Sequence, residues 1–289
     1  RNCSWGTDPP MPDNIILSHF QIAPLLDNNA PSTTSLSLDL GITTVEIHKA
    51  GAGWELPYGQ RLMPAHLEAI YDDKNGCFLF LDGELEKIQA YSPRTDRYYS
   101  LMPTLRAPTL LISGIPMHRI KDTTPLEDTR HKLKALGKPY GWVLDTATGL
   151  GYTAIQAART AAQVFTVEFD PAVLDICRLN PWSAELFTSP NIQPLIGDSA
   201  DLVPTFPDEC FDAVIHDPPT FALAGQMYGG EIYRHMYRIL KPGGRLFHYI
   251  GNPDSRYGAT TGRGVVVRLR SAGFRVTPKE RAFGVLGVK

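Results

Sequence analysis

Val143-Leu144-Asp145-Thr146-Ala147-Thr148-Gly149-Leu150-Gly151-Tyr152-Thr153-Ala154 reads as an apolar strand ending in an acid, a glycine-containing turn, and the first residues of a helix. Glycines at such a turn let the backbone approach a ligand without interference from a Cβ. Gly149, Gly151 and Ala154 also satisfy the G-x-G-x-x-A spacing of a dinucleotide site, with a pyrophosphate at the helix N-terminus. On this string alone a nicotinamide or flavin reading stays open beside other nucleoside cofactors.

Downstream the pattern repeats. Gln163–Glu168, Ile192–Ile196, 211–217 and 245–250 are apolar runs of strand length, and helical stretches at 153–160, Pro171–Leu179 and 231–240 separate most of them. Alternating strands and helices imply right-handed crossovers and a doubly wound, Rossmann-like α/β sheet covered on both faces. After a further helix near 265–271, the runs 274–277 and 282–288 read as two strands with no helix between them, which fits an edge hairpin. The cofactor domain is thus expected over 141–289.

Upstream, a polar helix over 126–136 is stopped by Gly137-Lys138-Pro139, giving a linker over 126–140. Short alternating runs at 36–40, 44–47 and 77–81, the last before the turn Asp82-Gly83, read as strands, as do 85–91 and 98–101. With a short helix at 64–70 they predict a small mixed, strand-rich domain over 36–125. Residues 1–35, rich in Pro, Asn, Asp, Ser and Thr, read as a flexible tail.

The chain has 289 residues, 43% of them hydrophobic, enough for a real core. It lacks an apolar run of membrane-spanning length, and its start lacks signal-peptide order, so a cytoplasmic protein is expected. Because the sequence begins at Arg1, a removed targeting segment stays open. Cys3, Cys77, Cys177 and Cys210 show no metal-ligand spacing, so reduced structural thiols and no metal are expected. A net charge of -2 argues against a broadly basic nucleic-acid surface, although Lys and Arg outnumber Asp and Glu two to one between Glu86 and Lys138.

Three further strand ends carry acids. Glu168 is placed to accept hydrogen bonds from ribose hydroxyls, as in either cofactor class. Asp198, followed by Ser199, could meet an adenine amino group or cap the next helix. His216-Asp217-Pro218-Pro219-Thr220 aims a carboxylate from the carboxyl end of a strand, and the paired prolines hold the following backbone extended.

Asp145-x-x-x-Gly149-x-Gly151, Glu168, Gly197-Asp198 and Asp217-Pro218-Pro219 resemble the successive motifs of class I S-adenosylmethionine-dependent methyltransferases. Asn180-Pro181-Trp182-Ser183, His216 and 241–249, with Pro116–Ile120 upstream, resemble more closely a little-characterised archaeal methyltransferase family with an N-terminal extension. The resemblance implies a seven-stranded sheet with an antiparallel last strand and S-adenosylmethionine as cofactor. It also implies a cofactor site made by Asp145, Ala147, Thr148, Gly149, Gly151, Tyr152, Thr153, Glu168, Phe169, Asp198, Ser199 and Asp217.

In related families the acid or amide of this motif and a nearby carbonyl bind an amino group. By that likeness Asp217 and the Pro218 carbonyl orient a nitrogen acceptor, and His216 could take the departing proton. Thr220, Phe221, Tyr228 and Tyr249 are the candidate substrate contacts. Where those families place an aromatic residue Thr220 stands, with Phe221 next, so nucleobase methylation is left open. Trp182 could flank the adenosine or anchor a loop. Arg97, Arg106, His118 and Arg119 could hold an anionic substrate or form an interface.

Aminopropyl transfer is the nearest alternative, because polyamine synthases share the sheet and a small leading β domain. They carry a more glycine-rich turn and several acids for polyamine nitrogens, whereas this chain has Thr146-Ala147-Thr148 and Asp217. A non-catalytic binding module and a nicotinamide oxidoreductase are the other classes. The acceptor (small molecule, RNA or protein side chain) and self-association into a homodimer are left open.

Overall fold

The computed structural model describes residues 14–27, 29–220, 223–252 and 254–289. The chain divides into two compact units, one made of residues up to Pro125 together with Ala172–Phe187, the other of Leu126–Pro171 and Thr188–Lys289.

The first unit holds strands β1 (Ile15–Ser18), β2 (Thr33–Leu36), β3 (Val45–Ala50), β4 (Gly53–Glu55), β5 (Arg61–Leu62), β6 (Cys77–Leu81), β7 (Glu84–Lys87), β8 (Gln89–Ser92), β9 (Arg97–Met102), β10 (Thr109–Ile112) and β11 (Ile115–Pro116), with helices α1 (His19–Ile22) and α2 (Pro64–Asp72). They form three small sheets, ordered β1-β6-β7, β2-β3-β4-β5 and β11-β10-β9-β8. Ile15, Leu17, Ile22, Ile47, Trp54, Ile70 and Phe80 are among the residues of one shared apolar core. The strand-rich expectation for this region agrees with these sheets.

The tail expectation does not hold over the described part of 1–35, and residues 1–13 lie outside the described residues. Ile15, Ile16 and Leu17 are buried, β1 pairs antiparallel with β6, and Ser18 caps α1 with a capping box completed by Gln21. Three consecutive buried apolar residues outweigh the polar composition around them. The strand expected at 36–40 sits instead at Thr33–Leu36. The Asp39 carboxylate accepts from the backbone N–H groups of Ile42 and Thr43 and so folds the following residues into a turn.

The second unit begins with α3 (Pro125–Leu136) and contains the strands β12 (Trp142–Asp145), β13 (Gln163–Glu168), β14 (Ile192–Ile196), β15 (Phe211–His216), β16 (Leu240–Tyr249), β17 (Arg275–Lys279) and β18 (Gly284–Val288). Helices α4 (Tyr152–Ala158), α5 (Pro171–Leu179), α6 (Glu185–Thr188), α7 (Ser199–Leu202), α8 (Gly230–Ile239) and α9 (Arg256–Ser271) lie between them along the chain. The seven-stranded order is β14-β13-β12-β15-β16-β18-β17. The pairs from β14 through β16 are parallel, and β18 runs antiparallel to both its neighbours. The sheet is therefore the doubly wound one expected, with its closing hairpin.

α8 shows why a helix covers this sheet. Ile232, Tyr233, Met236 and Ile239 recur at helical spacing and are all buried, joining Leu144, Val214, Leu246, Leu269 and Phe274 in one core. The strand order reverses at β12, which pairs with β13 on one side and β15 on the other. Open α/β sheets bind ligands beyond the carboxyl ends of their strands at such a switch point. Among the described residues no helix is long and apolar enough to cross a membrane.

Candidate functional site

The four acids singled out in the sequence all follow or close strands of this sheet at the same end. Asp145 closes β12 and is fully buried. Its Oδ2 accepts from the Thr153 hydroxyl at 3.0 Å and the Thr166 hydroxyl at 3.2 Å. Burial pushes its carboxyl up to about 7 against those hydrogen bonds. Glu168 closes β13, its Oε2 accepting from Gly149 N–H at 2.9 Å and its Oε1 from Asp170 N–H at 3.0 Å. Burial raises it likewise to about 7. Backbone N–H groups of Asp170, Gly149 and Phe169 thus hold the carboxylate at the strand end.

Gly149 and Gly151 both take left-handed φ values, +51° and +76°. A Cβ on Gly149 would meet nothing within 4 Å, so the turn faces open space. Phe169, next to Glu168, leaves 41% of its surface exposed. A carboxylate at a strand end, a bare backbone turn and an exposed ring are the groups that would hold the ribose, the amino-acid end and the base of S-adenosylmethionine.

Several other expected contacts are spent on holding the turn. The Thr148 hydroxyl meets that of Thr166 at 2.7 Å, and the Ser199 hydroxyl donates to the Thr146 carbonyl at 2.7 Å. Asp198 accepts from Ala200 N–H and caps α7, the alternative left open for it. Tyr152 is buried, and Ala147 N–H reaches back to Asp145. Trp182 donates its indole N–H to the Leu40 carbonyl, so it anchors a loop within the first unit. In that unit too, His118 Nδ1 sits 2.9 Å from the Thr109 hydroxyl.

His216 is corrected by the structure. Its Nε2 lies 2.7 Å from the Met227 carbonyl, which can only accept, so Nε2 carries the proton. Nδ1 then accepts from the Thr146 hydroxyl at 2.7 Å. The ring is fully buried, and burial drives its pKa down to about 4. A neutral ring with both nitrogens engaged cannot receive an acceptor's proton. Side chains alternate along β15, and His216 faces into the sheet's packing while Asp217 leaves the strand end. His248 is satisfied in the same way, donating from Nδ1 to the His216 carbonyl and accepting from the Tyr233 hydroxyl.

Because the His216 pKa lies below its unfolded value of 6.5, the native state resists protonation, and its stabilising contribution is present above 6.5 and lost as pH falls toward 4. That loss is on the order of 3 kcal/mol. Nitrogen-15 spectra at pH 5.5 should accordingly show His216 neutral and protonated on Nε2; a ring titrating near 6.5 would contradict this assignment.

Around the Asp-Pro-Pro motif, Tyr228 is buried and donates its hydroxyl to the Pro219 carbonyl at 3.0 Å, bracing the backbone. Thr220 is exposed, its carbonyl accepting from Leu223 and Ala224 N–H; Phe221 lies outside the described residues. Asp217 is 20% exposed, and its Oδ2 accepts from Lys132 Nζ at 2.5 Å. Lys132 also pairs with Asp128 at 2.8 Å and stands 4.7 Å above the Tyr249 ring. Lys132 is 2% and Asp128 0% exposed, and the two carboxylates hold the ammonium charged against burial. Sequence reasoning missed this pair. Its signal was the spacing of Asp128, Lys132 and Leu136 on the inward face of α3, where apolar residues would be expected.

The strand order, with acids at successive strand ends, is the Rossmann-like sheet of the class I fold, and residues 143–244 match the methyltransferase-domain family. The chain belongs to the same family as an uncharacterized protein of Methanocaldococcus jannaschii, to which it is 47% identical over 226 residues, 77% of each chain. It is also 28% identical over 130 residues to polyamine aminopropyltransferase 2 of Streptomyces coelicolor, covering 42% of this chain and 24% of that one. Spermidine synthase from Thermotoga maritima shares the fold, with TM-score 0.53 and 19% identity over 71% of this chain and 74% of that one.

Proposed function

We propose that this protein transfers the methyl group of S-adenosylmethionine to a nitrogen acceptor held at Asp217. The observation that carries the reading is the partly exposed Asp217 carboxylate on a proline-stiffened strand end, at the same edge of the sheet as Asp145, Gly149 and Glu168. When bound, S-adenosylmethionine supplies an electrophilic methyl on a sulfonium. Little acid–base chemistry is then asked of the protein, and its task is to align the acceptor and exclude water. Glu168 accepts the ribose hydroxyls and the Gly149 turn admits the amino-acid end. Asp217 and the Pro218 carbonyl turn the acceptor's N–H groups so that its lone pair faces the methyl, while Tyr228 fixes the Pro219 backbone; transfer leaves a neutral thioether, and the methylated nitrogen gives up its proton to water as product departs.

Calorimetric titration with S-adenosylmethionine, its demethylated product, decarboxylated S-adenosylmethionine and NAD tests the cofactor side, and labelled-methyl transfer to amine, amide and nucleobase acceptors tests the chemistry. Preference for the first two ligands with label on nitrogen is the expected result. Preference for the decarboxylated form would move the chain to aminopropyl transfer, a reading that the similarity to polyamine aminopropyltransferase 2 keeps as the alternative. NAD preference would sink both.

Ribose binding favours the ionised Glu168, whose carboxyl lies near 7 in the free protein. The cofactor Kd should therefore rise about tenfold from pH 8 to pH 6, with proton release on binding near pH 7. A Kd flat across that range would show that Glu168 does not meet the ligand as a carboxylate.

A further inference from the structure

We infer that Lys132 determines which amines Asp217 can take: its ammonium stands where the ammonium of a cationic substrate would otherwise pair, and so reserves the site for uncharged nitrogen acceptors. The inference rests on the reading that Asp217 holds the acceptor.

Lys132 Nζ is 2.5 Å from Asp217 Oδ2 and 2.8 Å from Asp128 Oδ2, and it lies over the Tyr249 ring. Two carboxylates and an aromatic face around one nitrogen are what a protein offers an alkylammonium ion. Here the ion is supplied by the chain itself, from a helix whose inward face carries it between Asp128 and Leu136. The cluster therefore has a net charge of -1 instead of -2, and the oxygen of Asp217 nearest the helix is already engaged.

An incoming dication would have to displace a buried ion pair or sit beside a like charge, both costly in a partly desolvated site. An amide, an aromatic amine or an exocyclic base amine brings N–H donors without charge and needs only the remaining acceptor capacity of Asp217. Burial raises the Asp217 carboxyl and Lys132 draws it back down, which favours the ionised form that accepts from N–H over a protonated one that would compete as a donor.

The probe is 1,4-diaminobutane, titrated calorimetrically into wild type, Lys132→Met, Lys132→Arg and the double variant Asp128→Asn/Lys132→Met, each checked for S-adenosylmethionine binding. The double variant restores the wild-type net charge of the cluster, so a gain there reports the vacated position and not bulk charge. It also keeps the test alive if Lys132→Met fails to fold, because it leaves only one buried carboxylate. Diamine affinity is expected to rise at least tenfold in both Met variants and not in Lys132→Arg, with cofactor Kd within about threefold of wild type. Adding Asp217→Asn to either Met variant should abolish the gain.

Tight diamine binding by wild type, Met variants that bind cofactor without gaining diamine affinity, or a gain that survives Asp217→Asn would each overturn the inference. A wild type that transfers no methyl to nitrogen while the diamine gain appears would instead remove the methyl-transfer reading and leave the role of Lys132 standing.

Discussion

Asp217→Asn is expected to lower the methyl-transfer rate on the order of 1000-fold, about 4 kcal/mol, while moving the cofactor Kd by less than about tenfold. Asparagine keeps the size of the side chain but offers a single acceptor oxygen. Lys132, 2.5 Å away, will take that oxygen, because an ammonium cannot face an amide NH2. The NH2 then points at the acceptor nitrogen, donor toward donor, and the lone pair is no longer steered toward the methyl. Single-turnover transfer of labelled methyl, with cofactor titration on the same preparation, separates orientation from binding. A fall of less than tenfold would mean that another group orients the acceptor.

Glu168→Gln should weaken S-adenosylmethionine binding roughly 100-fold, about 3 kcal/mol, through the loss of two charge-assisted hydrogen bonds to the ribose. The backbone adds to the effect. Gly149 N–H and Asp170 N–H each require an oxygen, and glutamine has one, so its NH2 must confront one of them. The pH dependence of stability provides an independent sign. The wild-type carboxyl, raised from 4.5 to about 7, favours folding most below 4.5, and that contribution is lost as pH rises through 7. Glutamine does not titrate, so the variant's melting temperature should compare better with wild type at pH 8 than at pH 5. The reverse order would mean that Glu168 is not a buried, raised carboxyl.

The second unit was legible because its physics is periodic. Apolar runs of strand length alternate with amphipathic helices, and parallel strands buried on both faces announce themselves as near-continuous apolar segments such as Phe211–His216. The first unit was harder. Its strands are short and its sheets small, and Ile15-Ile16-Leu17 was outvoted by the Pro, Asn and Ser around it although it forms a fully buried strand.

At the site, acids at strand ends could be found because position along a strand is readable. Which partners a ring meets on its side of the strand depends on tertiary packing, and the His216 ring turns to Met227 and Thr146. Lys132 escaped because an Asp and a Lys four residues apart on a polar helix usually form an exposed pair of little consequence. Only the tertiary partner Asp217, 85 residues away, turns it into a buried cluster.

The first unit borrows Ala172–Phe187 from the middle of the sequence that builds the second. On the ribosome, N-terminal regions usually fold as they emerge, yet this one lacks part of itself until Phe187 has been made. Leu40 waits likewise for Trp182, 142 residues later, to occupy its carbonyl. A fragment ending at Pro125 would leave the exit tunnel with that segment missing, so excising the leading unit at the apparent boundary should yield an insoluble product. A soluble version of it would have to carry residues 172–187 on a grafted linker.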